Sequence, residues 1–189
     1  CATMSKAKRP KPPKDRSAYL HLDQLAGLWR AAEAAPDLRS VHRDLVRFLI
    51  AIPCRRGEAT ALDWKHLDLS QGIWTQPNTV TKNGEPHRFA LPAPALSVLR
   101  LRHETAGRPA AGLVFPSPKA GKAIDTFTDL KTALTEATGI EGWRWHDFRR
   151  SFATALAEAG VAESVADAIL NHKQSATRGG VLGVYQRAQ

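Results

Sequence analysis

The chain has 189 residues, 43% of them hydrophobic, and carries 27 lysines and arginines against 18 aspartates and glutamates, a formal charge of +9 at pH 7. That is enough apolar material for one ordinary core, and it excludes a disordered or fibrous protein. No apolar run approaches the roughly 18 residues of a membrane span, no signal peptide opens the chain, and two cysteines, Cys1 and Cys54, cannot build the disulfide framework of a small secreted domain; a soluble protein of a reducing, intracellular compartment is expected.

Residues 1–16 hold Lys6, Lys8, Arg9, Lys11, Lys14 and Arg16 against Asp15 alone, so more than half of the excess charge sits there. With Pro10, Pro12 and Pro13 among the cations, this stretch reads as an extended linker that cannot pack a core. Any polyanion-binding surface on the rest must come from local clustering of Arg, Lys and His. Met4 is the sole methionine and follows Cys-Ala-Thr. Residues 1–4 are read as a non-native remnant of expression, and the chain as part of a longer protein.

Leu22, Leu25, Leu28 and Trp29 recur at helical spacing and predict a helix from Leu22 to Ala34. A second helix is expected from about Leu38, with Val41, Leu45, Phe48 and Leu49 on one face and Pro53 ending it. Cys54 to Trp64 reads as a loop running into a short helix, with Arg55, Glu58, Ala61 and Leu62 at spacings of three and four. From Gly72 to Leu91 the pattern turns β-prone: Ile73, Trp74 and Thr75, then Thr79–Lys82, then Phe89 and Leu91 beyond Asn83-Gly84. Asn-Gly is the best two-residue hairpin turn, because both positions tolerate φ > 0.

Helical patterns return at about 94–106 and 125–138, on either side of a Gly/Pro-rich loop over 107–122, and again at 146–159 and 162–171. Phe148, Phe152, Ala155, Leu156 and Ala159 form one stripe, Gly160 stops that helix, and Val161, Val165, Ala168 and Ile169 form the next. The fold expected is mainly α with one small antiparallel sheet, an α+β chain without internal repeats.

Four polar features stand out, each with a plain alternative. In Arg55-Arg56-Gly57-Glu58 a guanidinium can receive an anion while Glu58 braces it from behind, although an isolated R-x-x-E is more often a surface ion pair. Lys82, at the mouth of the Asn83-Gly84 turn, is placed to enter a groove, although exposed hairpins commonly carry lysine for solubility. His146 and Arg149 share one face of a first helical turn, beside the helix's partially positive end; the plain reading is a capping cluster around Asp147 and Trp145. His172 ends the next helix, thirteen positions before Tyr185, and a tyrosine between Val184 and Gln186 is more often a half-buried anchor than a nucleophile.

In combination and in this order, R-x-x-E, T-K-N-G, H-x-x-R, L-N-H and Y resemble the catalytic domain of the tyrosine recombinases, the phage-integrase family. The resemblance covers about residues 17–187, and Trp145-His146-Asp147-Phe148-Arg149-Arg150-Ser151-Phe152-Ala153-Thr154 is its most specific piece. Leu170-Asn171-His172 and Gly183-Val184-Tyr185 look like the forms found in prophage and genomic-island integrases. The resemblance implies that Arg55 and Arg149 clamp a phosphate, Lys82 is the hairpin lysine and general acid, His146 and His172 are the active-site histidines, and Tyr185 is the nucleophile. Glu58 matches the family's buttressing acid. DNA contacts are expected from Lys6, Lys8, Arg9, Lys11, Lys14, Arg56 and Arg150. Two departures stand out: a longer spacing from His172 to Tyr185 than in many members, and only Gln186 to Gln189 after the tyrosine, as if a subunit-bridging tail were missing.

The chemistry suits these residue types. A guanidinium presents paired donors to two phosphate oxygens and stays charged, whereas lysine gives a point charge without the fork. Attack by a tyrosine conserves the phosphodiester as a phosphotyrosine, so neither ATP nor water is needed, and no P-loop is present: Gly121-Lys122 is preceded by Pro116 five positions before and followed by Ala123. Arginines supply the charge that magnesium supplies elsewhere, and Asp63, Asp68, Asp125, Asp129 and Asp147 are scattered over unlike elements. No cofactor and no metal are therefore expected.

The resemblance further implies double-stranded DNA as substrate, a tetramer on DNA from a chain that is monomeric without it, accessory DNA-bending proteins, and a cytoplasmic, nucleoid-associated setting in integration of a viral genome or mobile element. Within the remnant and basic linker of residues 1–16, residues 5–16 resemble the strap joining the catalytic domain, 17–189, to an amino-terminal core-binding domain. Three alternatives stand beside it: a type IB topoisomerase with the same chemistry, a non-catalytic DNA-binding module, and a zinc site from Cys54, His87, His146 and His172, which lacks the tight ligand spacings of such sites.

Overall fold

The computed structural model describes residues 19–81, 84–117 and 122–171. Helix α1, Leu22–Ala34, starts where Gln24 reaches back to accept a hydrogen bond from the His21 N–H at 3.0 Å. It packs along α2, Ser40–Ala51, which stops where Ile52 turns extended ahead of Pro53. Leu28 and Ala32 of α1 and Leu45, Val46, Phe48 and Leu49 of α2 are buried, whereas Leu22, counted into the apolar stripe from its spacing, lies exposed in the first turn. A one-turn helix α3, Arg56–Thr60, follows Cys54 and Arg55.

The sheet has three antiparallel strands in sequential order: β1, Leu67–Asp68; β2, Ile73–Gln76; and β3, His87–Ala90. Trp74 opposite Phe89 and Gln76 opposite His87 are its inward-facing pairs. Trp74 stacks on Phe89, with ring centroids 5.4 Å apart, and meets Phe48 of α2 at 5.8 Å, which joins sheet and helices in one core. The expected two-residue turn at Asn83-Gly84 is corrected: β2 ends at Gln76 and β3 begins at His87, so the connection runs over 77–86. Pro77 and Pro86 flank the strand ends and have no N–H for a longer ladder.

Helix α4, Ala93–Thr105, lies on α2, and buried Arg102 spans them, donating to Asp44 at 3.3 Å and to the Val114 carbonyl. The segment after α4, expected as a plain loop, instead contributes Val114 and Phe115 to the core. A bridge between Asp63 and Leu113, with Trp64 N–H donating to the Gly112 carbonyl at 3.0 Å, fastens it beside the sheet. Helix α5, Phe127–Thr138, buries Phe127, Leu130 and Leu134 and ends at Gly139 in the left-handed region.

Helix α6, Trp145–Glu158, ends in a Schellman turn: Val161 N–H donates to the Leu156 carbonyl and Gly160 N–H, at φ 71°, to that of Ala157. Its buried residues are Asp147, Phe148, Arg149 and Ser151, a more polar set than the stripe expected, and Ala155 and Ala159 are exposed. Phe148 joins the core, whereas Arg149 faces a polar cleft, Asp147 caps the helix and Ser151 holds Leu20. Helix α7, Glu163–Ile169, packs on α6 and fully buries none of its own residues; of the expected stripe, Val161 and Ile169 are half-buried and Val165 and Ala168 exposed. Among these residues no helix is long and apolar enough to cross a membrane.

Candidate active site

Where α3 and α6 begin side by side, a cleft of about 480 Å³ is lined by Cys54, Arg55, Arg56, Gly57, Arg144, Trp145, His146 and Arg149. Helix α3 is capped at Arg55 by an acid of its own first turn. Glu58, three residues on, accepts the Arg55 N–H on Oε2 and the Arg55 Nη1–H on Oε1, both at 2.7 Å. Glu58 is only 3% exposed, so this pairing holds its charge in the interior. Arg55 Nη2 also reaches the Asn171 carbonyl at 3.4 Å.

Arg149 sits one turn into α6 and is buried, with Nη1 donating to the Pro53 carbonyl and Nη2 to the Leu170 carbonyl. Burial first, and then the neighbouring Arg55 cation, bring its pKa down to about 10, which still leaves it charged at neutral pH. Both guanidinium groups are thus fixed from behind and border the same cleft.

His146 occupies the first turn of the same helix and stays exposed at the rim. Partial burial and the guanidinium groups of Arg149, Arg150 and Arg55 lower its pKa against the opposing pull of Asp147. Asp147 does cap the helix, accepting the Arg144 N–H at 2.7 Å, as the plain reading of this motif expects. Ser151 Oγ, on the same face, accepts the Leu20 N–H at 2.8 Å and ties the start of the described chain to α6. Burial pushes the Cys54 thiol far above its ordinary range, which makes it an inert wall of the cleft.

The structure therefore gathers Arg55, Glu58, His146, Arg149 and Arg56, and leaves Arg150 exposed beside them on α6. The Arg56 guanidinium lies 4.6 Å over the Phe127 ring. Lys82, His172, Tyr185, Lys6, Lys8, Arg9, Lys11 and Lys14 lie outside the described residues. Among the described residues no group of three His, Cys, Asp or Glu could hold a metal.

One residue at the cleft escaped the sequence reading, and a second entered it only as a candidate zinc ligand. Arg144 lines the cleft one position before α6, where only the helix N-cap position points to it. His87 belongs to the inner face of β3 and is close enough to Arg149, Arg55 and Glu58 for their charges to act on it; its period-2 spacing to Phe89 was the available signal.

Residues 18–180 match the model of the Phage integrase family. The chain belongs to that family. The integrase of Salmonella phage P22 is 29% identical over 171 residues, 84% of this chain but 41% of that protein, so this phage-integrase-family chain spans about two fifths of the relative's length. Its fold is that of solved recombinases: the structure of XerA recombinase superposes with a TM-score of 0.69 at 20% identity, covering 94% of this chain and 66% of that one. The Tn1549 transposon integrase, solved with a circular intermediate DNA, gives 0.69 at 14% identity over 90% of this chain and 62% of its own.

Proposed function

We propose that the chain is the catalytic domain of a site-specific DNA recombinase that cleaves and rejoins DNA strands through a tyrosine nucleophile. The observation that carries this reading is the convergence of Arg55 and Arg149 on one cleft, each anchored from behind by a protein acceptor, with His146 at its rim. A dianionic transition state at phosphorus needs such preorganised, permanently charged donors.

In this mechanism the two guanidinium groups bind the non-bridging oxygens of the scissile phosphate. The Tyr185 oxygen attacks phosphorus and its proton passes to His146, whose lowered pKa keeps it neutral and able to accept. The bond from phosphorus to the 5′-oxygen breaks, and Lys82 protonates that oxygen as it leaves. His172 donates a further hydrogen bond to the phosphate. The product is a 3′-phosphotyrosyl protein and a free 5′-hydroxyl. A 5′-hydroxyl from a partner strand reverses the step and joins the two DNAs, with no ATP, water or metal in the balance.

Residues 17–189 form the catalytic domain on this reading, and residues 5–16 are the basic strap that crosses the phosphate backbone toward a core-binding domain. Lys6, Lys8, Arg9, Lys11 and Lys14 there, with Arg56 and Arg150, make the flanking phosphate contacts. The protein is a monomer without DNA and a tetramer on it, helped by DNA-bending proteins, and works in the nucleoid on a prophage or other mobile element.

The test is a supercoiled plasmid carrying two candidate attachment sites, incubated with the full-length parent in EDTA. Joined recombinant products support the reading. Relaxation without recombinants would make the protein a type IB topoisomerase, and retained binding with neither product would make it a DNA-binding module.

A further inference from the structure

Three consecutive backbone carbonyls, those of residues 169, 170 and 171, meet three different side chains at the back of the cleft. The Ile169 carbonyl faces the His87 ring, the Leu170 carbonyl accepts from Arg149 and the Asn171 carbonyl accepts from Arg55. Asn171 has φ 49°, in the left-handed region that a short polar side chain tolerates, so the chain turns sharply there. Leu170 and Asn171 are both buried, which makes this turn an interior wall and not a surface loop.

His87 reaches the turn from the sheet. It sits edge-on to Phe89 at 4.4 Å and stands opposite Gln76, which is fully buried. His87 Nε2 and both polar atoms of the Gln76 amide are buried with no hydrogen-bond partner among the described residues. A buried polar group without a partner is costly, so two polar side chains at the inner end of a small sheet call for a use beyond filling space.

We infer that His87 is a positioning residue for the two guanidinium groups: its ring seats the 169–171 turn, and the Leu170 and Asn171 carbonyls of that turn set the direction in which Arg149 and Arg55 face the cleft. The inference rests on the reading of those arginines as the phosphate-binding pair. The groups facing the ring are Glu58 and Arg55 at α3, Arg149 of α6 and the Ile169 carbonyl of α7; burial and the two guanidinium groups keep the ring neutral, against Glu58 and the carbonyl. A neutral imidazole has one N–H, which suits one carbonyl.

The test compares His87→Phe, which keeps a ring and loses the donor, with His87→Gln, which keeps a donor. Two readouts are taken on folded protein: the guanidinium N–H signals of Arg149 and Arg55 by ¹⁵N NMR without DNA, and the single-turnover rate of covalent complex formation on nicked DNA. In His87→Phe the Arg149 signals are expected to shift or broaden and the rate to fall at least tenfold with DNA affinity within threefold. His87→Gln is expected to restore the signals and bring the rate within threefold of wild type. Unchanged Arg149 signals in His87→Phe overturn the inference, whatever the DNA assay shows. A folded His87→Gln protein whose signals are lost overturns it equally, and carries the test if the Phe variant does not fold. Loss of covalent complex from the wild-type protein, with its Arg149 signals responding as expected to His87→Phe, contradicts the recombinase reading instead.

Discussion

Glu58 spends one carboxylate oxygen on the backbone N–H of Arg55 and the other on the guanidinium of the same residue, both at 2.7 Å. One acidic side chain therefore caps α3 and fixes the direction of the arginine. Replacing Glu58 by Ala removes both bonds and leaves Arg55 without its partner. A loss of about 2 kcal/mol in unfolding free energy is expected, from a lost cap and a lost charge-assisted bond. Glu58→Gln keeps an oxygen for the cap and loses the ion pair, so it is expected to recover about half of that stability in denaturant titrations. Equal losses in both variants would show that the ion pair, and not capping, carries the effect.

Arg149 separates charge from geometry. Lysine keeps the cation but cannot hold the Pro53 and Leu170 carbonyls while also presenting a fork to phosphate. Arg149→Lys is expected to slow covalent complex formation by about 10²–10³, the cost of removing one preorganised oxyanion donor, with a much smaller change in DNA affinity. A rate within fivefold of wild type would show that charge alone suffices.

Much of this was legible in the sequence because the relevant residues are local. Arg55 and Glu58, or His146 and Arg149, lie within one helical turn, so spacing alone places them on a shared face. What stayed hidden is long-range. The two Arg-bearing motifs meet only because the α2 to α3 connection and the 169–171 turn both supply carbonyls to Arg149, and nothing in local spacing encodes that. His87 entered only as a candidate zinc ligand, because it lies in a strand whose alternation marks a core face, where histidine otherwise reads as a packing residue. The Asn83-Gly84 turn signal was overridden by Pro77 and Pro86, which end the β2 and β3 ladder early.

Acid should destabilise the fold through histidines. His42, His87 and His146 are each pushed below the ordinary value of 6.5, by burial in the first place, so the unfolded chain binds protons that the folded chain resists. Stability from these groups is full above about pH 6.5 and is lost as pH falls toward their folded values. The midpoint of urea unfolding is expected to drop between pH 7 and pH 5, with a shallower slope in His87→Gln. An unchanged slope in that variant would remove His87 from the linkage.

Ser151 joins α6 to the start of the described chain. Ser151→Ala leaves the buried Leu20 N–H without an acceptor and is expected to cost about 1–2 kcal/mol. Thermal unfolding checks this, and an unchanged midpoint would mean that Leu20 finds another acceptor.

Covalent attachment tests the central claim most directly. The protein is incubated in EDTA with labelled duplex nicked so that the 5′-hydroxyl fragment diffuses away, and the products are run on a denaturing gel. A slow, protease-sensitive labelled band is expected from wild type and not from Tyr185→Phe, with both proteins binding the DNA equally. Intact DNA binding without the band, or a band of equal strength from Tyr185→Phe, would contradict the account.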